Sequence, residues 1–316
     1  MTNLNPWAAM SVSSQRRIDF ETQHNLFWVK DFNGNYGFCL QSKNGFTIDE
    51  NTIKLRGISV LKRNTNKNIV ELFLILNKQE EWEIFLALCE DLVTATKKYD
   101  SDIKMITAVE NRLNRWQQLL KQERNQELTI EKQMGLFSEL LCLWDFVAKK
   151  AGIKQAISSW GGPESDKQDF LLDDAVIEVK SHRTSKGDFA HISSYQQLNS
   201  EKDPLYLFSY ALTSSENGLS IEDISRSIRE LLIGESIETI DLFERKLIEY
   251  GFIPELIKEP LQKFILDKLK VFYVSETFPK ISIKDIKPQI ATVKYIIDLS
   301  QCNEFEVEIG SLLDRG

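Results

Sequence analysis

Residues 168–181, QDFLLDDAVIEVKS, constrain this chain more than any other stretch. Two apolar runs, QDFLL and AVIEVKS, flank Asp173-Asp174 and read as strand, turn, strand. Side chains alternate along a strand, so Glu178 and Lys180 share one face while Ile177 and Val179 point into the opposite layer. The turn sets Asp169 opposite the far end of the second strand, beside Glu178 or Lys180. Two carboxylates and an ammonium then converge. Hard divalent cations take oxygen ligands, and Mg²⁺ is held by one or two carboxylates while it keeps waters and phosphate oxygens. Asp169 and Glu178 suit that role. A lysine beside them can orient or deprotonate an attacking water and offset charge on a phosphate. The competing reading is an amphipathic hairpin whose charges are simply solvated.

The Glu-x-Lys spacing does not decide by itself, because Glu244-Arg245-Lys246 repeats it. That copy lies in IDLFERKLIEY, a helical pattern with no preceding hairpin, and its charges are expected on a solvated helix face. The copy at 178–180 has an upstream helix instead. LTIEKQMGLFSELLCLWDFVAKKAG carries Thr129 as N-cap and Gly152 as C′ glycine. On it Glu139 sits among Leu136, Phe137, Leu140, Leu141 and Leu143, and a buried carboxylate needs a partner. Glu139 is either a further metal-site carboxylate or a structural acid held by a buried lysine or backbone. Gly135, four residues earlier on the same stripe, costs about 1 kcal/mol relative to alanine, which close approach of another group would explain. Beyond the hairpin, His182 and His191 lack a recognisable nucleophile and orienting acid, and both are read as peripheral. Gln197 either hydrogen-bonds a phosphate or water, or is ordinary polar surface.

Around this centre the chain divides into three regions. Residues 1–127 are β-rich, with NLFWVKD and GNYGFCLQ joined through Asn33-Gly34-Asn35, then TIKLRGISVLK and IVELFLIL. Two amphipathic helices follow, EEWEIFLALCEDLVTATKK and MITAVENRLNRWQQLLKQ. Residues 128–212 form the α/β core, in the order helix, strands at AISSW, QDFLL and AVIEVKS, a short connection, and the strand PLYLFSYAL. Residues 213–316 add two helices and strands around LKVFYVS and ATVKYIIDLS, packed on the core and without evident chemistry of their own.

The formal net charge of −8 excludes indiscriminate coating of nucleic acid, which needs clustered lysine and arginine. Any such contact must be local. KLRGISVLKRNTNKN offers Lys54, Arg56, Lys62, Arg63 and Lys67 with no acid, either as a phosphate-binding strip or as a solvated strand pair. Cys39, Cys89, Cys142 and Cys302 form no CxxC pair, so neither a zinc site nor a disulfide framework is indicated. The N-terminus has no signal-peptide pattern, and no run of about 18 apolar residues occurs. A cytoplasmic protein without membrane association is expected.

Glu139, the QDF strand with Asp169, and Glu178-Val179-Lys180 together resemble the PD-(D/E)XK nuclease superfamily. The series GLFSELLCL, WGGPESDKQDF, IEVKS, ISSYQQL and PLYLFSYAL is similar, more closely, to a bacterial family of PD-(D/E)XK motif proteins that was formerly a domain of unknown function. The resemblance extends to the N-terminal β region, NRWQQLL and FYVSETFPKI. It implies a restriction-endonuclease-like fold, α+β or α/β, with a mixed sheet flanked by helices. It also implies an Mg²⁺-dependent deoxyribonuclease, Mn²⁺ able to substitute, more an endonuclease than an exonuclease, and a restriction-like component of a bacterial phage-defence system. Carried over residue by residue, Asp169, Glu178, the Val179 carbonyl and Glu139 hold metal, Lys180 orients water, and Gln197 is the glutamine after the motif. Gln168 stands where the family name has proline. Implied partners are DNA, ATPase and methyltransferase subunits of a defence locus, and a second copy in a homodimer; no GxxxxGK[ST] segment is present, so ATP-driven steps belong to a partner. The rival from another class is a catalytically silent subunit that binds DNA or a partner protein. An RNA-directed nuclease would use the same residues.

Overall fold

The computed structural model describes residues 5–19, 23–48, 52–65, 69–97, 99–121, 128–164, 167–254, 257, 259–287 and 289–313. It divides into two compact units, Met1–Gln126 and Glu127–Gly316.

The first unit holds β1 (Ser14–Arg17), β2 (Asn25–Lys30), β3 (Tyr36–Ser42), β4 (Ile58–Asn64) and β5 (Val70–Leu76) in one antiparallel sheet of order β1-β2-β3-β5-β4. Asp31 builds the β2–β3 turn by accepting from Asn33 N and Asn35 N, each at 2.8 Å, while Gly34 supplies φ +84. The long strand expected over TIKLRGISVLK is shorter, because Gly57 at φ +78 breaks the extended backbone and β4 begins after it. α1 (Trp82–Lys97) and α2 (Asp102–Lys121) are joined by Asp91, which receives Arg112 Nη1 at 2.7 Å and Trp116 Nε1 at 3.1 Å.

The second unit opens with α3 (Ile130–Cys142), capped by Thr129, whose hydroxyl accepts from Lys132 N at 3.3 Å. A π-turn at Leu143–Val147 leads into α4 (Ala148–Ala151). Gly152, at φ +81, separates α4 from α5 (Ile153–Ser159). AISSW is thus not the strand expected of it. Ala156, Ile157 and Trp160 fall on one helical side and are fully buried, which outweighs their strand propensity, and Trp160 alone makes a bridge to Phe170. β6 (Phe170–Leu171) and β7 (Val176–Arg183) form the expected hairpin around Asp173-Asp174. Then come β8 (Phe189–Ile192), β9 (Leu205–Leu219), α6 (Ile221–Leu231), α7 (Ile237–Tyr250), β10 (Phe264–Tyr273), β11 (Tyr295–Asp298) and α8 (Gly310–Leu313).

The main sheet has order β10-β9-β7-β6, with β7 and β9 parallel and the other pairs antiparallel. The centre of this sheet is covered on both sides, so apolar residues of its strands point both ways. On one face Ile177, Val179, Tyr206, Phe208 and Val271 join the residues of α3, α5, α6 and α7 in the larger core. On the other, Val176, Leu205, Leu207 and Phe272 pack under the β8–β11 ribbon through Ala190, Ile192 and Ile297. β9 continues past 212 and its far end pairs with the start of β10 through Ser214 and Phe264, so residues on either side of 212 share one sheet. Among the described residues no helix is long and apolar enough to cross a membrane.

Phe170 is fully buried in the larger core and adjoins Asp169 on the short strand β6. Phe170→Ala is expected to destabilise the second unit by about 3–5 kcal/mol, measured as a lowered urea midpoint in a denaturation curve.

Candidate metal and catalytic site

β7 carries Glu178 and Lys180 on one face, and the register Phe170↔Ile177 brings Asp169 alongside Glu178. Asp169 Oδ2 accepts from Val179 N at 2.7 Å, so the backbone of the second strand fixes the acid of the first. Lys180 Nζ donates to Glu178 Oε1 at 2.5 Å. Glu178 is 0% exposed, and among the described residues its Oε2 has no hydrogen-bond partner. A buried carboxylate oxygen without a donor is costly unless something else supplies positive charge.

Glu139 reaches the same place from α3. Its Oε2 accepts from Trp160 Nε1 at 2.8 Å and its Oε1 from the Tyr250 hydroxyl at 3.2 Å. Gly162 sits against both acids. A β-carbon there would overlap Glu139 Oε2 and come within 3.0 Å of Asp169 Oδ1, so the space beside the carboxylates exists because residue 162 has no side chain.

The electrostatics of the cluster are dominated by crowding. Burial, together with the Asp169 carboxylate, pushes Glu178 up to about 8 despite the Lys180 ammonium. Burial raises Asp169 as well, against the opposing pull of Lys180 and the Val179 N–H. Glu139 is driven well above the ordinary range by burial and by Asp169, which outweigh the Trp160 and Tyr250 donors. Burial alone would lower Lys180, but the neighbouring carboxylates reverse the sign and raise it. Three acids therefore compete for one ammonium.

This donor set fits a divalent cation: hard carboxylate oxygens, an excess of negative charge, and one buried oxygen lacking a donor. Asp169 Oδ2, Glu178 Oε1 and both Glu139 oxygens nevertheless already accept from protein donors. Among the described residues, no three His, Cys, Asp or Glu side chains are already arranged as a metal cage. Binding would exchange the hydrogen bonds at Asp169 Oδ2 or Glu178 Oε1 for coordination. The cradle by Gly162 and the free Oε2 leave room for that exchange.

The remaining expected site residues lie elsewhere. Gln197 is on the turn Tyr195–Leu198, where its Oε1 accepts from Ser193 N at 3.0 Å and Ser193 Oγ at 3.1 Å, and it makes no hydrogen bond to Asp169, Glu178 or Lys180. His182 is buried and faces Ser209 and Asp188, the latter paired with Lys270 at 2.7 Å. In the first unit, Arg63 is bound to Glu71 at 2.5 Å and lies over the Phe73 ring, and Lys62 donates to the Phe46 carbonyl at 3.2 Å. Lys54 and Arg56 precede β4, and Lys67 lies outside the described residues.

Several contributors were not anticipated from the sequence. Gln168 is buried, and its amide donates to Gln196 O at 2.7 Å, anchoring the start of β6 to the turn at 195–198. Proline, which lacks a side-chain donor, could not make this bond. Lys246 belongs to the second Glu-x-Lys copy, yet it is not solvated as expected: it is buried and donates to the Trp160 carbonyl. The reason is packing, since the side of α7 that carries Phe243 and Leu247 faces the core and carries Lys246 in with it.

Comparison with known families matches residues 3–300 to the family described as "Putative PD-(D/E)XK family member, (DUF4420)". The chain belongs to this family. Its fold is accordingly the PD-(D/E)XK-like α/β arrangement, and membership points to nuclease chemistry and, as for PD-(D/E)XK nucleases generally, to divalent metal. No curated protein and no solved structure matches the chain.

The raised acids make stability depend on pH with a definite sign. An acid whose pKa rises from 4.5 to about 8 on folding holds its proton longer in the folded than in the unfolded chain, so ionisation opposes folding. In chelator, the melting temperature is expected to fall as pH climbs from about 5 to about 8. Glu178→Gln should flatten that fall, and millimolar Mg²⁺ should offset it in the parent; a melting temperature that rises across this window would contradict the assignment.

Proposed function

We propose that this protein is an Mg²⁺-dependent DNA nuclease, a restriction-like component of a bacterial phage-defence system, in the cytoplasm. The observation that carries the reading is the convergence of Asp169, Glu178 and Lys180 on one strand pair, with Glu178 Oε2 buried and, among the described residues, without a donor. Family membership supports the nuclease chemistry.

Asp169, Glu178 and the Val179 carbonyl would hold the ion, with Glu139 beside them. When bound, Mg²⁺ lowers the pKa of water and stabilises charge developing on phosphate oxygens. Lys180 supplies the fixed positive charge. Held protonated by its acidic neighbours, it is suited to orient a water and to offset negative charge on a nonbridging oxygen, and unsuited to act as a base near neutral pH. One of its three donors stays on Glu178, leaving the others for water and phosphate. Glu139, held through both oxygens, keeps a fixed place beside the other two acids.

Phosphate contacts by Lys54, Arg56, Lys62, Arg63 and Lys67 belong to the same reading. Arg63 would meet a phosphate only by leaving Glu71. ATPase and methyltransferase partners would supply the driven and modifying steps, and Gln197 would meet substrate rather than the acids.

A silent binding subunit is the rival, favoured by the net charge of −8. Cleavage of supercoiled and linear DNA with Mg²⁺ or Mn²⁺ separates the two. Lys180→Ala and Asp169→Ala, shown to be folded, are each expected to lose at least about a hundredfold in rate. Absence of cutting by the parent under either metal, with partners added, would establish the silent subunit instead; preferential cutting of RNA would reassign the substrate.

A further inference from the structure

The two donors that grip Glu139 come from segments far apart in the chain. Trp160 follows α5, whereas Tyr250 is the last residue of α7, more than a hundred positions after the acid it touches. The placement of Tyr250 is built in at three levels. A Schellman ending stops α7 directly after it: Gly251, at φ +98, donates to Ile248 O at 2.9 Å, and Phe252 N donates to Leu247 O at 2.8 Å. Phe252 is fully buried, which locks that ending. Lys246, one turn earlier on the same stripe, donates to the Trp160 carbonyl, and Phe243 packs on the Trp160 ring at 6.3 Å between centroids. The helix thus holds both donors, one directly and one through Trp160.

On the receiving side, Gly135 explains itself. A β-carbon at 135 would lie 2.7 Å from the Tyr250 hydroxyl. The glycine interrupts an otherwise good helix so that a phenol can reach across it to the acid one turn on.

We infer that Tyr250 is a positioning residue of the metal site: its hydroxyl, admitted by Gly135, holds the Glu139 carboxylate beside Asp169, and α7 is a working part of the site. This rests on the metal-dependent reading above and adds to it a residue and a helix outside the motif series. Tyr250 touches neither substrate nor metal in this role. It fixes an acid that Trp160 alone would leave free to rotate about one hydrogen bond.

The test measures Mn²⁺ binding to the full chain by the electron paramagnetic resonance signal of the free ion, with DNA cleavage read in parallel. Tyr250→Phe keeps the buried ring and removes only the hydroxyl; it should melt within a few degrees of the parent yet bind Mn²⁺ about tenfold more weakly. Gly135→Ala, which displaces the hydroxyl while favouring the helix, should weaken binding likewise. The double variant with Glu139→Gln should bind no more weakly than Glu139→Gln alone, because both changes act through one carboxylate. Parental Mn²⁺ affinity in Tyr250→Phe or in Gly135→Ala, or losses that multiply in the double variant, would overturn the inference. A parent that binds no Mn²⁺ would overturn it together with the metal-dependent reading. If the parent cuts DNA and Tyr250→Phe binds and cuts equally well, the positioning role fails and the nuclease stands. If Mn²⁺ binding depends on Tyr250 but nothing is cut, the positioning role stands and the nuclease fails.

Discussion

A carboxylate buried in the middle of a sheet sets the terms for the rest of the second unit. Glu178 lies between Ile177 and Val179, is closed off from solvent, and has one ammonium to answer it and two further acids nearby. Replacing such a group by an apolar side chain would relieve the crowding at little cost to packing. Its presence in a well-packed strand is therefore an electrostatic burden that folding alone does not explain. The surroundings share that burden: Val179 N and Lys180 tend the strand pair, while Trp160 and Tyr250 tend Glu139.

The supports reach the acids from segments that sequence order keeps apart. Gln168 ties the first strand of the hairpin to the turn at 195–198, and Gly161 N donates to Asp169 O at 2.8 Å. Lys246 and Tyr250 arrive on α7. The acids thus sit on rigid elements while small residues, Gly135 and Gly162, provide the space they need. Such an arrangement holds charged groups in place at the expense of stability, as sites that bind ions do.

Much of the fold was legible because it rests on local periodicity. The Asn33-Gly34 turn, the Thr129 cap, the Gly152 stop and the hairpin at Asp173-Asp174 follow from residue types whose backbone preferences are intrinsic. AISSW is too short for periodicity to separate strand from helix, and only the packing of Ala156 and Ile157 against the core decides. Glu244-Arg245-Lys246 lies on the helix that its periodicity predicts, but which helix face is buried depends on the neighbour it meets, and Lys246 is inside.

The sequence by itself determined that Asp169, Glu178 and Lys180 would share one strand pair, since alternation and a two-residue turn leave few registers. It also marked Glu139 as a buried acid needing a partner, and Gly135 as a point of close approach. Tertiary structure alone decided who answers them: Trp160 and Tyr250 for the acid, the Tyr250 hydroxyl for the glycine. Those partners lie 21 and 111 residues from Glu139. No local preference encodes such a meeting; it is fixed only when the apolar faces of α3, α5 and α7 pack into one core and carry their polar tips together.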